Sequence, residues 1–451
     1  MSARTLAWVA QVTGGMLRGA DRSWSRVTTD SRLLASGELF VALVGPRFDG
    51  HGFAAQARAR GAVGLLVARP LPVELPQVVV EETRLALGRM AAAWRARCAL
   101  PLVGVTGSNG KTTTKQMLAS ILGQRGPCLA TRGNLNNDVG LPLTLLELDP
   151  THRSAVIEMG ANHRGEIAYL AGLARPTVAV VTNAGPAHLE GFGNLDGVAA
   201  GKGELYEALG ADGTAVINAD DHYSDYWRQL AGARRVVSFG TRPGADFRAL
   251  GGDGELLECA TPHGRLELAL PLPGAHNRRN ALAAIAAASA AGAVAADLVA
   301  GLAKCTVPGG RLELVAGRAG IELVDDTYNA NPASMRAALE WAAGLGRPLL
   351  FVMGDMGELG AGSAELHAEV GRAARAFGAQ RLFALGVQTP HAVEAFGPGA
   401  SHHRDLDALL AALEPSLAPG SVVLVKGSRS ARMERVVEAL RAAPAAAGEG
   451  G

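Results

Sequence analysis

Cysteine is scarce in this chain. Cys98, Cys128, Cys259 and Cys305 lie far apart and never reach the paired spacing of a metal site. That distribution excludes a cysteine-built metal centre and fits small buried hydrophobes in a reducing compartment, so the expected location is cytoplasmic. An excess of charge of either sign is missing too. Lys and Arg number 43 against 42 Asp and Glu, which leaves no electrostatic footprint for nucleic acid or an anionic membrane and directs attention to small-molecule partners. No uninterrupted apolar run suits a membrane span: the Ala-rich stretch 281–303 is broken by Ser289 and Asp297, and alanine contributes little apolar area. It reads as buried helices, with no stable membrane insertion expected. The opening Met-Ser-Ala-Arg-Thr-Leu-Ala-Trp has no long apolar core before a cleavage site, so no signal peptide is expected. No internal repeat is evident.

What the chain does have is length and apolar content. Its 451 residues are 48% hydrophobic and 19% charged, enough for about three domains of roughly 150 residues, each with a sizeable core. Residues 27–80 carry short β-like runs (38–43, 63–67 and 78–80) around one helix near 53–60, a small α/β module. The segment 83–99 is helical in composition and stops before Pro101, which sets a boundary near residue 99. Beyond it strand and helix alternate, and the apolar, β-branched runs 154–157, 177–181 and 214–217 suit a mostly parallel, covered sheet. A third unit opens after Pro308-Gly-Gly, with runs 321–324, 349–353, 382–385 and 422–425 each followed by a helical segment. The expected fold is therefore α/β with domains at 1–99, 100–308 and 309–442, and an Ala/Gly/Pro-rich tail at 443–451 expected to be disordered.

Chemistry gathers first at Val103-Gly-Val-Thr-Gly-Ser-Asn-Gly-Lys-Thr-Thr-Thr-Lys115. A glycine-rich turn between an apolar strand and a helix can wrap backbone N–H groups around a phosphate chain. ATP is the expected ligand of Thr106, Gly107, Ser108, Asn109, Gly110, Lys111, Thr112 and Thr113. Gly107 and Gly110 permit close approach, Lys111 supplies a point charge for the β/γ-phosphates, and the Thr112 hydroxyl is placed for Mg²⁺. Gly107 and Gly110 stand two residues apart, whereas the general pattern G-x-x-x-x-G-K-S/T wants four. The bland alternative is a chance Gly-Lys-Thr, against which the flanking strand and helix argue. Glu158-Met-Gly-Ala and the loop Thr-Asn-Ala-Gly-Pro-Ala-His188-Leu-Glu-Gly-Phe-Gly follow two of the strand runs, at carboxyl ends where α/β sheets bind nucleotides. Glu158 and His188 are placed to join Thr112 around Mg²⁺; each is equally a structural hydrogen-bonding group when taken singly. Lys202, in Ala-Ala-Gly-Lys-Gly-Glu-Leu, is unremarkable alone as a surface cation.

Taken in order, Thr-Gly-Ser-Asn-Gly-Lys-Thr-Thr, Asn134-Leu-Asn-Asn, Glu158-Met-Gly-Ala, Gly185-Pro-Ala-His-Leu-Glu-Gly-Phe-Gly, Gly274-Ala-His-Asn, Asp325-Asp-Thr-Tyr-Asn-Ala-Asn-Pro and Lys426-Gly-Ser-Arg span nearly the whole chain. The set resembles the Mur ligases, in which the short phosphate loop is also the usual form. The resemblance implies a UDP-binding N-terminal module, a central P-loop ATPase-like parallel-sheet domain and a C-terminal Rossmann-like domain. It implies an ATP-dependent amide ligase of peptidoglycan precursor synthesis. A carboxylate becomes an acyl phosphate, and an amine then attacks it, leaving an amide, ADP and phosphate. The Asp-Asp-Thr-Tyr run and the His188 loop favour the branch that joins D-alanyl-D-alanine to UDP-N-acetylmuramoyl-tripeptide. The tripeptide's third residue, meso-diaminopimelate or L-lysine, is not legible.

Site roles follow from the same resemblance. Lys111 would contact the transferring phosphate, Thr112 and Glu158 would share one Mg²⁺, and His188 would hold a second. Lys202 matches a lysine the family carbamylates, which turns an ammonium into an anion with two metal-binding oxygens. Asn280, with Asn277 as its polar neighbour, would read adenine; the alternative for Asn277 is a place near the helix cap. Arg311 would reach the phosphates and Asp326 the ribose, with Tyr328, Asn329 and Asn331 beside them. Ser31 and Arg47 would hold the UDP end, Asn134, Asn136 and Asn137 the peptide, and Lys426, Ser428 and Arg429 the dipeptide carboxylate. For Ser31 and Arg47 a turn with a surface arginine is the alternative. A monomer is expected. The rivals are a third-residue-adding ligase of this family, a folylpolyglutamate synthetase-like ligase, and a P-loop switch or kinase without ligation.

Overall fold

The computed structural model describes residues 4–252 and 255–442, so the tail expected to be disordered, 443–451, lies outside the described residues. Three α/β units follow one another, each around its own sheet. In the first, the strands run in the order Met16–Arg18, Gln77–Val79, Gly64–Val67, Leu39–Val41, Val27–Thr28, and only the outermost pair with Met16–Arg18 is antiparallel. The helix expected near 53–60 is a 3₁₀ turn, Gly50–Phe53, running into Ala54–Ala59, because the Asp49 carboxylate accepts the His51 N–H and starts the turn early. The helix expected over 83–99 is Thr83–Arg95, started by the Glu82 carboxylate on the Arg84 and Leu85 N–H groups. It stops there because the Arg95 guanidinium turns back onto the carbonyls of Ala174 and Cys98 and fixes the following residues in an irregular path.

The central sheet has nine strands, from Gly264–Ala269 through Leu256–Thr261, Phe247–Gly251, Arg235–Gly240, Thr214–Asn218, Val178–Val181, Leu102–Thr106 and Ser154–Glu158 to Cys128–Ala130. It is parallel from Phe247–Gly251 onward, and the two remaining strands add an antiparallel hairpin. Every residue of Leu102–Thr106, Ser154–Glu158 and Val178–Val181 is buried, as expected of strands covered on both faces. On one face the helices Lys111–Gly123, Ala275–Ala290 and Ala295–Ala303 form a single core with the strands. On the other, a continuous core runs from Leu6, Trp8 and Trp24 in the first unit through Met90 and Trp94 to Leu141, Ile167 and Trp227. The first two units are therefore joined by shared apolar packing. Polar contacts reinforce it: the Leu148 carbonyl accepts from Trp94 Nε1 at 2.8 Å and Arg4 Nη2 at 3.0 Å.

In the third unit the order is Glu313–Ala316, Glu322–Asp326, Val422–Lys426, Leu349–Gly354, Arg381–Leu385, Ala400–His403, parallel except for the first. Helices Pro332–Ala343, Ser363–Ala376 and Pro390–Phe396 cover one face, Leu406–Leu413 and Glu434–Leu440 the other. This is the doubly wound arrangement expected. Trp341, on Pro332–Ala343, reaches the central unit at Gly274, where an added Cβ would lie 3.4 Å from its indole ring. Of the four free cysteines, Cys98, Cys259 and Cys305 are buried, whereas Cys128 is half-buried because its strand forms the sheet edge.

Small residues set how closely the Ala-rich helices seat the phosphate-loop helix. At Gly301 an added Cβ would lie 2.4 Å from Ile121 Cα, and the Gly301 carbonyl accepts from Ser120 Oγ at 2.6 Å. Gly301→Ala should therefore force the two helices apart and lower unfolding free energy by about 1–3 kcal/mol, read in urea denaturation. An unchanged midpoint would show that the contact is soft.

Candidate active site

After the buried strand Leu102–Thr106 the chain must turn sharply to start the helix Lys111–Gly123. Two glycines make the turn possible. Gly107 (φ 150°) passes so close to Thr182 that a Cβ would lie 1.9 Å from its hydroxyl. Gly110 (φ 79°) is the helix cap, and a Cβ there would lie 2.1 Å from Asn280 Oδ1. Ser108 and Asn109 between them are held by the next strand's loop. Asn183 Oδ1 accepts the Asn109 N–H at 3.0 Å, Thr182 Oγ1 donates to the Asn109 carbonyl at 2.6 Å, and the Ser108 hydroxyl exchanges hydrogen bonds with Gly185. No side chain caps the helix, so its first-turn N–H groups are left for an anion. Lys111 curls over the loop, donating to the Gly107 carbonyl at 2.7 Å. Burial holds its pKa below the ordinary lysine value against the opposing pull of Glu158.

Glu158 ends its strand and is 2% exposed. Its Oε1 accepts from Asn136 Nδ2 at 2.8 Å, while Oε2 has no hydrogen-bond donor although Lys115 Nζ stands 3.4 Å away. Lys115, one helical turn after Lys111 on the same face, was not anticipated; burial lowers its pKa and Glu158 opposes the shift. His188 adopts φ 55° at the start of the short helix Leu189–Phe192. Its Nδ1 lies 2.5 Å from Glu358 Oε2 of the third unit, an ion-pair approach without an aligned hydrogen bond. This contact holds the Glu358 carboxyl below its usual range. Lys202 is no surface cation: it lies on Leu195–Glu207, 1% exposed, with the Phe192 ring 5.5 Å from Nζ. Among the described residues it has no hydrogen bond and no carboxylate partner, and burial followed by repulsion from Lys111 drives its pKa well below the ordinary value.

The opposite wall begins at the Ala-rich helix, which starts at Ala275 after Gly274, so Asn277 sits inside the first turn and not at the cap. Its Nδ2 donates to the Pro273 carbonyl at 2.8 Å and its Oδ1 accepts from Asn280 at 3.1 Å. His276 also faces the cleft; burial, then Lys426 and Arg279, push its pKa down to about 4. From the third unit, Arg311 stacks 3.9 Å from the Tyr328 ring centre, and its Nε and Nη2 have no partner. Burial raises the Asp326 pKa, with Lys426 opposing. Asn331 caps Pro332–Ala343 and reaches across to Asn109 Oδ1 at 2.6 Å.

Two expectations, for Lys426 and Asn137, are revised. Lys426 is not free to receive a carboxylate: its ammonium donates to Asp326 Oδ2 at 2.6 Å, to the Asn329 carbonyl at 2.9 Å and to the Asp326 carbonyl at 3.4 Å. Ser428 and Arg429 do not line the cleft themselves: the first is buried beside Ser430, with its Cβ 3.8 Å from a Cβ built on Gly357, and the second is exposed and 3.6 Å from Glu434. Asn137 spends its Oδ1 on the Val139 and Gly140 N–H groups where the helix Gly140–Leu145 begins, while Asn134 stays exposed on the cleft edge. Ser31, hydrogen-bonded to Gln56 at 2.7 Å, and the exposed Arg47 belong to the first unit and do not line this cleft. Asn329 lines it with its Oδ1 on the Ala330 N–H.

The cleft measures about 870 Å³ and takes its walls from the central and third units. Among the described residues, no group of three or more His, Cys, Asp and Glu converges on one point, so a metal bound here would have to draw on substrate oxygens and water as well. Fold and floor define a P-loop nucleotide-binding α/β protein. Three family models match in order: "Mur ligase family, catalytic domain" over 24–95, "Mur ligase middle domain" over 105–288, and "Mur ligase, glutamate ligase domain" over 310–429. The UDP-N-acetylmuramoyl-tripeptide–D-alanyl-D-alanine ligase of Escherichia coli (strain K12) is 46% identical over 444 residues, 97% of this chain and 98% of that protein. A crystal structure of MurF from Acinetobacter baumannii superposes with TM-score 0.91 at 38% identity, over 98% and 99% of the two chains. MurF from Thermotoga maritima in complex with ADP gives 0.80 at 30%, over 92% and 96%. The chain belongs to the Mur ligase family.

Gly110→Ala tests the cradle. The added methyl meets Asn280 and penalises the left-handed turn, so nucleotide affinity should fall at least about tenfold by titration calorimetry, and the same strain should lower the melting temperature of the unliganded protein. Wild-type affinity in this variant would remove the loop from nucleotide binding.

Proposed function

We propose that this chain joins D-alanyl-D-alanine to UDP-N-acetylmuramoyl-tripeptide with ATP, through an acyl phosphate, in the cytoplasm and as a monomer. The observation that carries the reading is convergence on one cleft of an uncapped phosphate-binding helix, a buried carboxylate with an unfilled oxygen, and an arginine with two unpaired donors. Each is unsatisfied alone and each suits a triphosphate meeting a carboxylate. The full-length similarity to curated D-alanyl-D-alanine-adding ligases supports the choice of substrates. Among the described residues no helix is long and apolar enough to cross a membrane.

In this reading the first-turn N–H groups and Lys111 hold the phosphates, and Arg311 reaches them from the third unit. Asn280 faces adenine, with Asn277 fixing its orientation. Asp326 takes the ribose while Lys426 keeps its carboxylate ionised against burial. Asn134 and Asn136 border the peptide, and Ser31 and Arg47 hold the distant UDP end. Arg429, exposed and loosely paired, turns to the dipeptide carboxylate beside Ser428. Thr112 and the open Oε2 of Glu158 fit one Mg²⁺, and His188 a second. Bound there, Mg²⁺ neutralises charge on the phosphates and the acyl carboxylate. Lys202 fits carbamylation for a physical reason. Burial favours the neutral amine, the form that attacks CO₂; the new N–C bond and loss of one proton leave an anionic carbamate.

ADP release should require both the tripeptide nucleotide and D-alanyl-D-alanine, measured by coupled assay with diaminopimelate- and lysine-containing tripeptides. Turnover indifferent to these substrates would instead favour a P-loop switch. Lys202→Ala should lose activity by at least about a hundredfold and lack the carbamate resonance that the wild-type protein acquires in ¹³C-bicarbonate. Near-normal turnover, or an unchanged spectrum, would return Lys202 to a packing role.

A further inference from the structure

Two residues in an uncommon backbone state face one another across the cleft. His188 (φ 55°) comes from the central unit and Glu358 (φ 59°) from the loop after Leu349–Gly354, and neither is glycine. Left-handed non-glycine residues cluster at functional sites, where the surrounding fold imposes them. Their side chains meet at 2.5 Å, which puts the Glu358 carboxylate at the phosphate end of the cleft, within the field of Lys111.

The other cleft carboxylates each accept an aligned hydrogen bond. Glu158 holds Asn136, Glu166 the Asn162 N–H, Asp220 the Thr241 N–H, Asp221 the Ala184 N–H, and Asp326 Lys426. Glu358 accepts no aligned hydrogen bond among the described residues, and its side chain is 57% exposed. A carboxylate beside phosphate-binding groups, with His188 as its close partner among the described residues, is misplaced for holding ATP, since like charges repel. It is well placed for a cation. Apart from the Mg²⁺ assigned above to His188, the cation the reaction brings to this wall is the amino terminus of the incoming dipeptide, an ammonium at neutral pH. The same wall carries Ser428, whose N–H donates to the Asp355 carbonyl at 2.9 Å and whose Cβ lies 3.8 Å from a Cβ built on Gly357. An extended dipeptide spans roughly 7 Å at about 3.4 Å per residue, which suits a carboxylate near Ser428 and Arg429 and a nitrogen at Glu358.

We infer that Glu358 binds the amino group of the incoming dipeptide and aims its nitrogen at the acyl phosphate. The inference rests on the amide-ligase reading above. Glu358→Gln keeps shape and removes the charge. Its KM for D-alanyl-D-alanine should rise roughly tenfold or more, the loss of one charge-assisted hydrogen bond, while KM for ATP and for the tripeptide nucleotide stays within about twofold. Positional isotope exchange in ATP, measured without dipeptide, should keep its wild-type rate. N-acetyl-D-alanyl-D-alanine, which lacks the ammonium, should inhibit both forms equally, and Glu358→Asp should recover most of the lost affinity. A parallel rise in KM for ATP would mean that Glu358 only latches the units through His188, and an unchanged dipeptide KM would remove it from the site; either overturns the inference. Should the wild-type protein itself fail to join the dipeptide, the ligase reading falls first.

Discussion

A glycine pressed against an amide holds the site together. Gly110 must be left-handed for the helix Lys111–Gly123 to begin without a side-chain cap, and Asn280 fills the space where its Cβ would be. Asn280 is itself anchored through Asn277 to the Pro273 carbonyl, and both lie on the helix whose alanines pack against the phosphate-loop helix. The phosphate loop, the two asparagines and the helix pair therefore pack as one unit. Bulk at Gly110, Asn280 or Gly301 is felt at all three.

Around that body the protein gathers buried basic groups without enough anions to match. Burial depresses Lys111, Lys115, Lys202 and Arg311 alike, and among them Lys115 alone has a close carboxylate, at 3.4 Å. Holding such charges away from water is unfavourable, and it makes sense only where a polyanion completes the set. Preorganised donors in a low-dielectric cleft stabilise developing negative charge without rearranging when reaction occurs. The unpaired Arg311 nitrogens and the open Glu158 oxygen are the two ends of this arrangement, one suited to phosphate and the other to metal.

Much of this was legible along the chain, and the omissions share a cause. The fully buried parallel strands announce themselves as β-branched runs, and the phosphate loop lies within one continuous stretch. The edge strands Cys128–Ala130 and Ala400–His403 are short and half-exposed, so their patterns are weak. Lys426 looks like a free cation at a strand end, but parallel pairing sets it directly beside Asp326, one hundred residues earlier. Glu358 sits in a loop with no motif that calls attention to it, and only the fold brings it to His188. Lys202 needed the family pattern to be noticed; its burial comes from the packing of its helix.

The tryptophans are unevenly shared between the units. Trp8, Trp24, Trp94 and Trp227 are buried in the core common to the first two, whereas Trp341 alone belongs to the third and rests against Gly274 at the junction. Its indole thus works as a built-in optical gauge. Any swing of the third unit changes the solvent around one fluorophore while four stay dark to the motion, so emission from the unlabelled protein follows opening and shutting in real time.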